Sequence, residues 1–169
     1  SPTVNYRFSK YLTTGIGPHF SYYYARNNSE TIVNSLQFDQ PEEIENAAYF
    51  TGGEFFINLD MKDHPANPSK GVVWNNTIRY NKQLNNQEDQ FTHLSTELSL
   101  YYTPKLPIQL TAAVRLGAAT NIGDYKFYQS NFLGGSTNLR GFRRTRFAGQ
   151  SMMFSNTELR LEISEIRNY

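Results

Sequence analysis

The sequence predicts an all-β protein: an antiparallel, up-and-down sheet of about six strands plus a stub, forming part of a transmembrane β-barrel. Three observations carry this expectation. Apolar residues recur at every second position over segments of roughly ten to fourteen residues. The connections between segments alternate between long and short. No segment shows the sustained i, i+3, i+4 apolar spacing that an amphipathic helix requires.

The segments follow in order. Val4 to Phe8 is the stub, the end of an earlier strand. From Leu12, one parity reads Leu12, Thr14, Ile16, Pro18, Phe20, Tyr22, Tyr24, against Thr13, Gly15, Gly17, His19, Ser21 and Tyr23. From Thr51, Phe55, Ile57, Leu59 and Met61 alternate with Glu54, Phe56, Asn58 and Asp60. From Val72, the apolar set is Val72, Trp74, Ile78 and Tyr80, against Thr77 and Arg79. From Phe91, Leu94, Leu98, Leu100 and Tyr102 oppose His93, Ser95, Glu97 and Ser99. From Ile108, Leu110, Ala112, Val114 and Leu116 follow on one side, with Gln109, Thr111, Ala113 and Arg115 on the other. The last segment sets Met153, Leu159, Leu161 and Ile163 against Asn156, Glu158, Arg160 and Glu162.

Soluble strands are usually about five or six residues long, whereas a tilted strand needs roughly ten to cross a bilayer. The connections agree with a crossing. Ser9 to Tyr11 and Thr103 to Pro107 are short, and Lys62 to Lys70 is moderate, with Pro65 and Pro68. Asn27 to Ala47, Lys82 to Gln90 and above all Gly123 to Gln150 leave the opposite rim. Membrane barrels show the same asymmetry between long outer loops and tight inner turns.

Alternation alone does not decide which face is wet, and a soluble β-domain with a binding loop would also alternate. Two features favour an apolar face turned outward to lipid. The polar parity mixes charge signs (Glu54, Asp60, Arg79, Glu97, Arg115, Glu158, Arg160), as suits a hydrated lumen. Tyr22, Tyr24, Tyr80, Tyr101 and Tyr102 gather near strand ends, where an interfacial girdle belongs. Six strands cannot close such a barrel, because the smallest have about eight. Open edges in lipid would leave backbone groups unpaired at several kcal/mol each, so other strands, from beyond this sequence or from other chains, must complete the wall. Ser1 begins within a strand-like pattern, which leads us to expect a piece of a longer chain.

Bulk composition narrows the functional classes. The 169 residues suffice for one domain, and the net charge of +1 provides no global field for nucleic acid. The chain has no cysteine, which removes disulfides, thiolate metal sites and a cysteine nucleophile. No run of about 18 apolar residues exists, so no transmembrane helix is expected. No phosphate-cradling loop and no GxSxG is present, and His19, His64 and His93 lack metal-ligand spacing. We therefore expect no catalytic, cofactor or metal site. Asp60 to Pro68 reads as a proline-braced turn, with Asp60 and Asn67 as turn formers, rather than as a carboxylate–histidine cluster. Asn-Asn-Ser at 27–29 and Asn-Asn-Thr at 75–77 match a glycosylation pattern that is common by chance.

The sharpest feature is Leu133 to Gln150, LGGSTNLRGFRRTRFAGQ, which fits neither a helical nor a strand period. It could be an ordinary surface loop, or a nucleic-acid platform built on Phe142 and Phe147. The third reading folds the loop back into the barrel. Gly134, Gly135 and Gly141 would allow the reversals, and Arg140 would reach a carboxylate on the inner wall as a two-pronged pair.

"LGGSTNLRGF" followed by "NTELRLEI" resembles the BamA/TamA family of outer-membrane assembly and translocation barrels. That family carries an aliphatic-Arg-Gly-aromatic motif in its sixth extracellular loop, matched here by Leu139, Arg140, Gly141 and Phe142. Its next strand often supplies a lumen-facing Glu, matched by Glu158, and its Asp/Asn/Pro-rich periplasmic turn resembles Asp60 to Gly71. The likeness spans nearly all of Tyr49 to Ile163. It implies a partial barrel domain over residues 1–169, drawn from a sixteen-stranded barrel, with an inward-folding extracellular loop at 123–150. It further implies residence in the bacterial outer membrane and work without nucleotide or other cofactor. The partners implied are the lipid bilayer, the remaining strands of the barrel, unfolded outer-membrane or secreted polypeptides, and accessory lipoproteins, with no nucleic acid. Barrels of this type also resemble membrane anchors of surface enzymes, such as calcineurin-like phosphoesterases or patatin-like lipases.

Overall fold

The computed structural model describes residues 2–23, 48–85 and 89–162. Seven strands form one antiparallel sheet in which they lie side by side in the order they follow along the chain: β1 (Val4–Arg7), β2 (Leu12–Tyr23), β3 (Ala48–Asp60), β4 (Gly71–Gln83), β5 (Gln90–Tyr102), β6 (Gln109–Gly123) and, after the intervening short ribbon, β9 (Ser151–Glu162). The five strands from β2 to β6 run 12 to 15 residues, long enough to cross a bilayer at a tilt. The expected meander is therefore present, and the Leu12, Thr51, Val72, Phe91, Ile108 and Met153 segments each lie in a separate strand. Tyr24, Ile163 and the Asn27–Ser29 sequon lie outside the described residues.

Register puts the polar parities of all strands in common rows. Glu54 stands opposite Arg79, Arg79 opposite His93, and His93 opposite Asn121. Further along, Ser99 faces Arg115, Arg115 faces Asn156, and Ala113 faces Glu158. Because side chains alternate across the pleat, this alignment makes one continuous polar face. The other face is apolar and bare: Ile16, Phe20, Phe55, Ile57, Trp74, Ile78, Leu100, Leu116, Leu159 and Leu161 are all exposed, and Met153 reaches 80 %. A soluble sandwich would bury that set. Midway across this face Trp74 Nε1 donates to Thr96 Oγ1 at 3.0 Å, and Thr96 Oγ1 donates to Asn76 Oδ1 at 2.8 Å. The Trp74 N–H and the Thr96 hydroxyl are thus satisfied within the sheet, as an apolar surrounding demands.

Tyr22 and Tyr49 pack against each other on the outer face at the long-connection rim, with Tyr80 nearby on the same parity. Tyr101 departs from the expected girdle. It shares the parity of Ser99 and Glu97, so it points to the polar face and lines a cavity there. β3 begins at Ala48, where the long connection is expected to end, while β4 continues outward to Gln83 and β6 to Gly123. The Gly117-Ala118-Ala119 stretch of β6 carries too little contrast between faces to be read as strand from pattern alone. Its small size has a use, since the Phe154 ring of β9 lies directly over Gly117, where a side chain would collide with it.

The segment between β6 and β9 is not devoid of regular structure. It opens with a 3-10 turn (Phe127–Gln129) and contains a two-stranded ribbon of β7 (Asn131–Leu133) and β8 (Phe147–Gly149). Strands of three residues are too short to register as a period, which is why the sequence shows none there. The small hydrophobic core lies on the inner face at the long-connection rim. Phe50, 1 % exposed, packs edge-on against Phe91 and Tyr23, with Ala48 and Tyr125 alongside.

Candidate functional site

The segment 124–150 folds over the polar face. Its root is held by Asn121, whose side chain is fully buried. Asn121 Nδ2 donates to Gln129 O at 2.8 Å, and its Oδ1 lies 2.8 Å from His93 Nδ1. Gln150 Nε2 donates to Asn121 O at 3.0 Å, and Asn131 Nδ2 to Gln150 O at 2.7 Å. Both legs of the loop are therefore tied to one position on β6.

Deeper down, Asn138 braces the hairpin from inside. Its Oδ1 accepts from Gly134 N at 2.9 Å and its Nδ2 donates to Phe132 O at 2.9 Å. Two wall residues then grip the tip: Arg115 Nη1 donates to Thr137 O at 2.6 Å, and Asn156 Nδ2 to Asn138 O at 3.2 Å. Arg115 also pairs with Glu97 at 2.5 Å and lies over the Phe154 ring, 5.2 Å from its centroid. The guanidinium is thus fixed by a carboxylate below and an aromatic face beside it before it reaches the loop.

The motif residues occupy this hairpin. Gly135 and Leu139 form an isolated bridge, and Gly135 N donates to Phe142 O at 3.0 Å. Gly134 has φ 138° with the Arg143 carbonyl packed against its Cα, so both conformation and space exclude a side chain. Phe142 packs on Phe147 with ring centroids 5.6 Å apart. Arg140 projects from the tip into a cavity of about 300 Å³ whose lining includes Tyr101, Arg115, Asn156, Glu158 and Arg160. The expected pair is brought into one cavity, yet Glu158 is bonded elsewhere: Arg160 Nε donates to Glu158 Oε1 at 3.0 Å. Arg140 makes no hydrogen bond or ion pair with any described residue.

The remaining charges expected in the lumen are also on this face. Arg79 Nε donates to Glu54 Oε2 at 2.8 Å, across β3 and β4. Asp60 sits at the rim, paired with Lys62 at 3.0 Å. The turn from Met61 to Lys70 is internally stapled. Asp63 Oδ1 accepts from Ser69 N at 2.9 Å, Asp63 also bonds the Ser69 hydroxyl, and His64 Nδ1 accepts from Asn67 N at 3.2 Å. These bonds hold the Asp63 carboxyl well below the usual carboxylate range, the Ser69 hydroxyl being the largest cause. His64 is thus a turn-former, and no group of three or more His, Cys, Asp or Glu among the described residues could hold a metal ion.

Asn121, Asn138 and Asn156 were not singled out in the sequence, although they do most of the tethering. The available signal was weak: an Asn in the middle of a Gly-rich reversal, and two more on the polar parity of adjoining strands.

Long antiparallel strands, an apolar face left bare, a polar face packed with ion pairs and a loop folded onto that polar face define the wall of a transmembrane β-barrel. The model of the Omp85 superfamily domain matches residues 2–168, and the chain belongs to that superfamily. No curated protein matches it. Omp85 proteins are outer-membrane proteins that broadly serve protein insertion or translocation and typically catalyse no reaction.

Proposed function

We propose that this chain is barrel wall from a BamA/TamA-like protein of the bacterial outer membrane, folding and inserting outer-membrane proteins or translocating polypeptides. The observation that carries the proposal is the hairpin 131–149 laid along the inner wall, with Arg140 and Glu158 facing one cavity. In this reading the loop is a strut. Arg115 and Asn156 hold it at Thr137 and Asn138, Gly141 (φ 91°) turns its tip, Phe142 packs it, and Arg140 faces the Glu158 carboxylate across the cavity, within reach of anchoring the loop there. A strut of this kind stiffens the wall while a weak seam elsewhere in the barrel opens toward a locally thinned bilayer. The substrates are unfolded outer-membrane or secreted polypeptides, aided by accessory lipoproteins.

Arg140→Ala in the full-length protein tests this. The expected result is a barrel that loses heat-modifiable mobility at a lower temperature and inserts substrate more slowly in proteoliposomes. Wild-type heat-modifiability together with wild-type insertion would remove Arg140 from the mechanism.

A further inference from the structure

The turn between β3 and β4 does not end at its own strands. It reaches across the polar face to β9. Arg160 Nη1 donates to Asn67 Oδ1 at 3.1 Å and to Pro68 O at 3.4 Å, contacts more than ninety positions apart in the chain. Thr103 Oγ1 donates to Ser69 O at 2.8 Å and lies 2.8 Å from Thr111 Oγ1, so the arch is also fixed midway, over β5 and β6. The Asp63–Ser69 and His64–Asn67 bonds brace the turn internally.

Arg160 uses its guanidinium in two directions. Nε and Nη2 face the Glu158 carboxylate at 3.0 and 3.5 Å, while Nη1 holds the turn. A planar fork with five donors can serve both at once. The same Glu158 borders the cavity that Arg140 enters from the opposite rim. Glu158 therefore has two arginines beside it: Arg160 from its own strand, held by the turn, and Arg140 from the loop.

The geometry points to Arg160 as a positioning residue that couples the β3–β4 turn to the loop: with the turn docked, Arg160 occupies Glu158, and when the turn undocks, Glu158 is released to Arg140. This inference rests on the reading of Arg140 as a loop anchor. Movement at the short-turn rim then changes how tightly the strut is held, without any contact between turn and loop.

These 169 residues hold no cysteine, so a single label can be placed in this segment once any cysteine elsewhere in the full-length protein is replaced. Ser136→Cys places a nitroxide on the exposed loop tip of the full-length protein in lipid bilayers. Asn67→Ala combined with Thr103→Val undocks the turn without touching loop or Glu158. The expected result is a larger slow-motion component in the spin-label spectrum, by at least about twofold, which disappears when Glu158→Gln is added. Arg160→Lys, which keeps the charge but loses the fork that holds both turn and carboxylate, is expected to give the slow component as well. An unchanged spectrum in the Asn67/Thr103 double variant overturns the coupling, as does a change that survives Glu158→Gln. Substrate insertion is read separately: defective Arg140→Ala insertion with an unresponsive label leaves the function standing and sinks only the coupling.

Discussion

The outer and inner faces of the seven-stranded sheet share one backbone and obey opposite rules. Outside, Ile16, Phe55, Ile78 and Leu159 stand bare, each needing only an apolar surrounding. Inside, nearly every group has a particular partner: Glu54 with Arg79, Glu97 with Arg115, Asn121 with Gln129, Asn138 with Gly134. The difference teaches that the outer face, apart from its Trp74–Thr96–Asn76 chain, is specified by hydrophobicity, whereas the inner face is specified by geometry. The first tolerates any apolar residue and rejects charge; the second tolerates charge but depends on individual atoms.

The strongest break in the comparison is a charge placed outside. Ile78→Arg, mid-strand on β4, is expected to cost about 2–4 kcal/mol in denaturant titrations of the full-length barrel in lipid vesicles. Ser95→Arg, at similar depth on the inner face, should cost far less. Equal costs would show that the two faces do not differ in solvent.

Next comes the wall-to-loop clamp. Arg115→Ala removes the bond to Thr137 O and strands Glu97, with an expected loss of about 2 kcal/mol by the same titration. Asn138→Ala removes the internal brace, with an expected loss of about 1 kcal/mol, and exposes the loop. Trypsin should then cut after Arg143, Arg144 or Arg146 several-fold faster than in the parent, and an unchanged cleavage rate would exclude the brace.

The smallest effect concerns pH. The folded Asp63 carboxyl titrates below its unfolded value of about 3.9. Its contribution is therefore complete above that value and is lost as pH falls toward the folded pKa. Asp63→Asn should lower stability at neutral pH, where the carboxylate contributes in full, and flatten the acid side of the stability–pH curve below about pH 4, as followed by tryptophan fluorescence.

Much of the wall was legible. The alternation of Ile57 and Asn58, or of Leu98 and Glu97, follows from the pleat and needs no knowledge of neighbours. In the structure Leu139 to Phe142 lie in the hairpin over the polar face, and Glu158 borders the cavity that Arg140 also lines. Other features were hidden. Phe50 and Phe91 lie on the polar parity yet form the core at the rim, because the folded loop covers them there. Tyr101 was misplaced for a related reason, since an aromatic at a strand end looks the same whether it faces lipid or lumen.

The sequence by itself determined the strand count of the main sheet, the bilayer-crossing length of its strands, the apolar face and the alternation of long and short connections, because a period of two is a property of each strand alone. Only the tertiary structure decided that Arg115 and Asn156 hold the hairpin, that the β3–β4 turn arches over to Arg160, and that Glu158 lies between two arginines. Those choices depend on the curvature of the sheet and the depth of each side chain within it. They join residues tens of positions apart by single hydrogen bonds, and no local pattern encodes which donor will meet which acceptor.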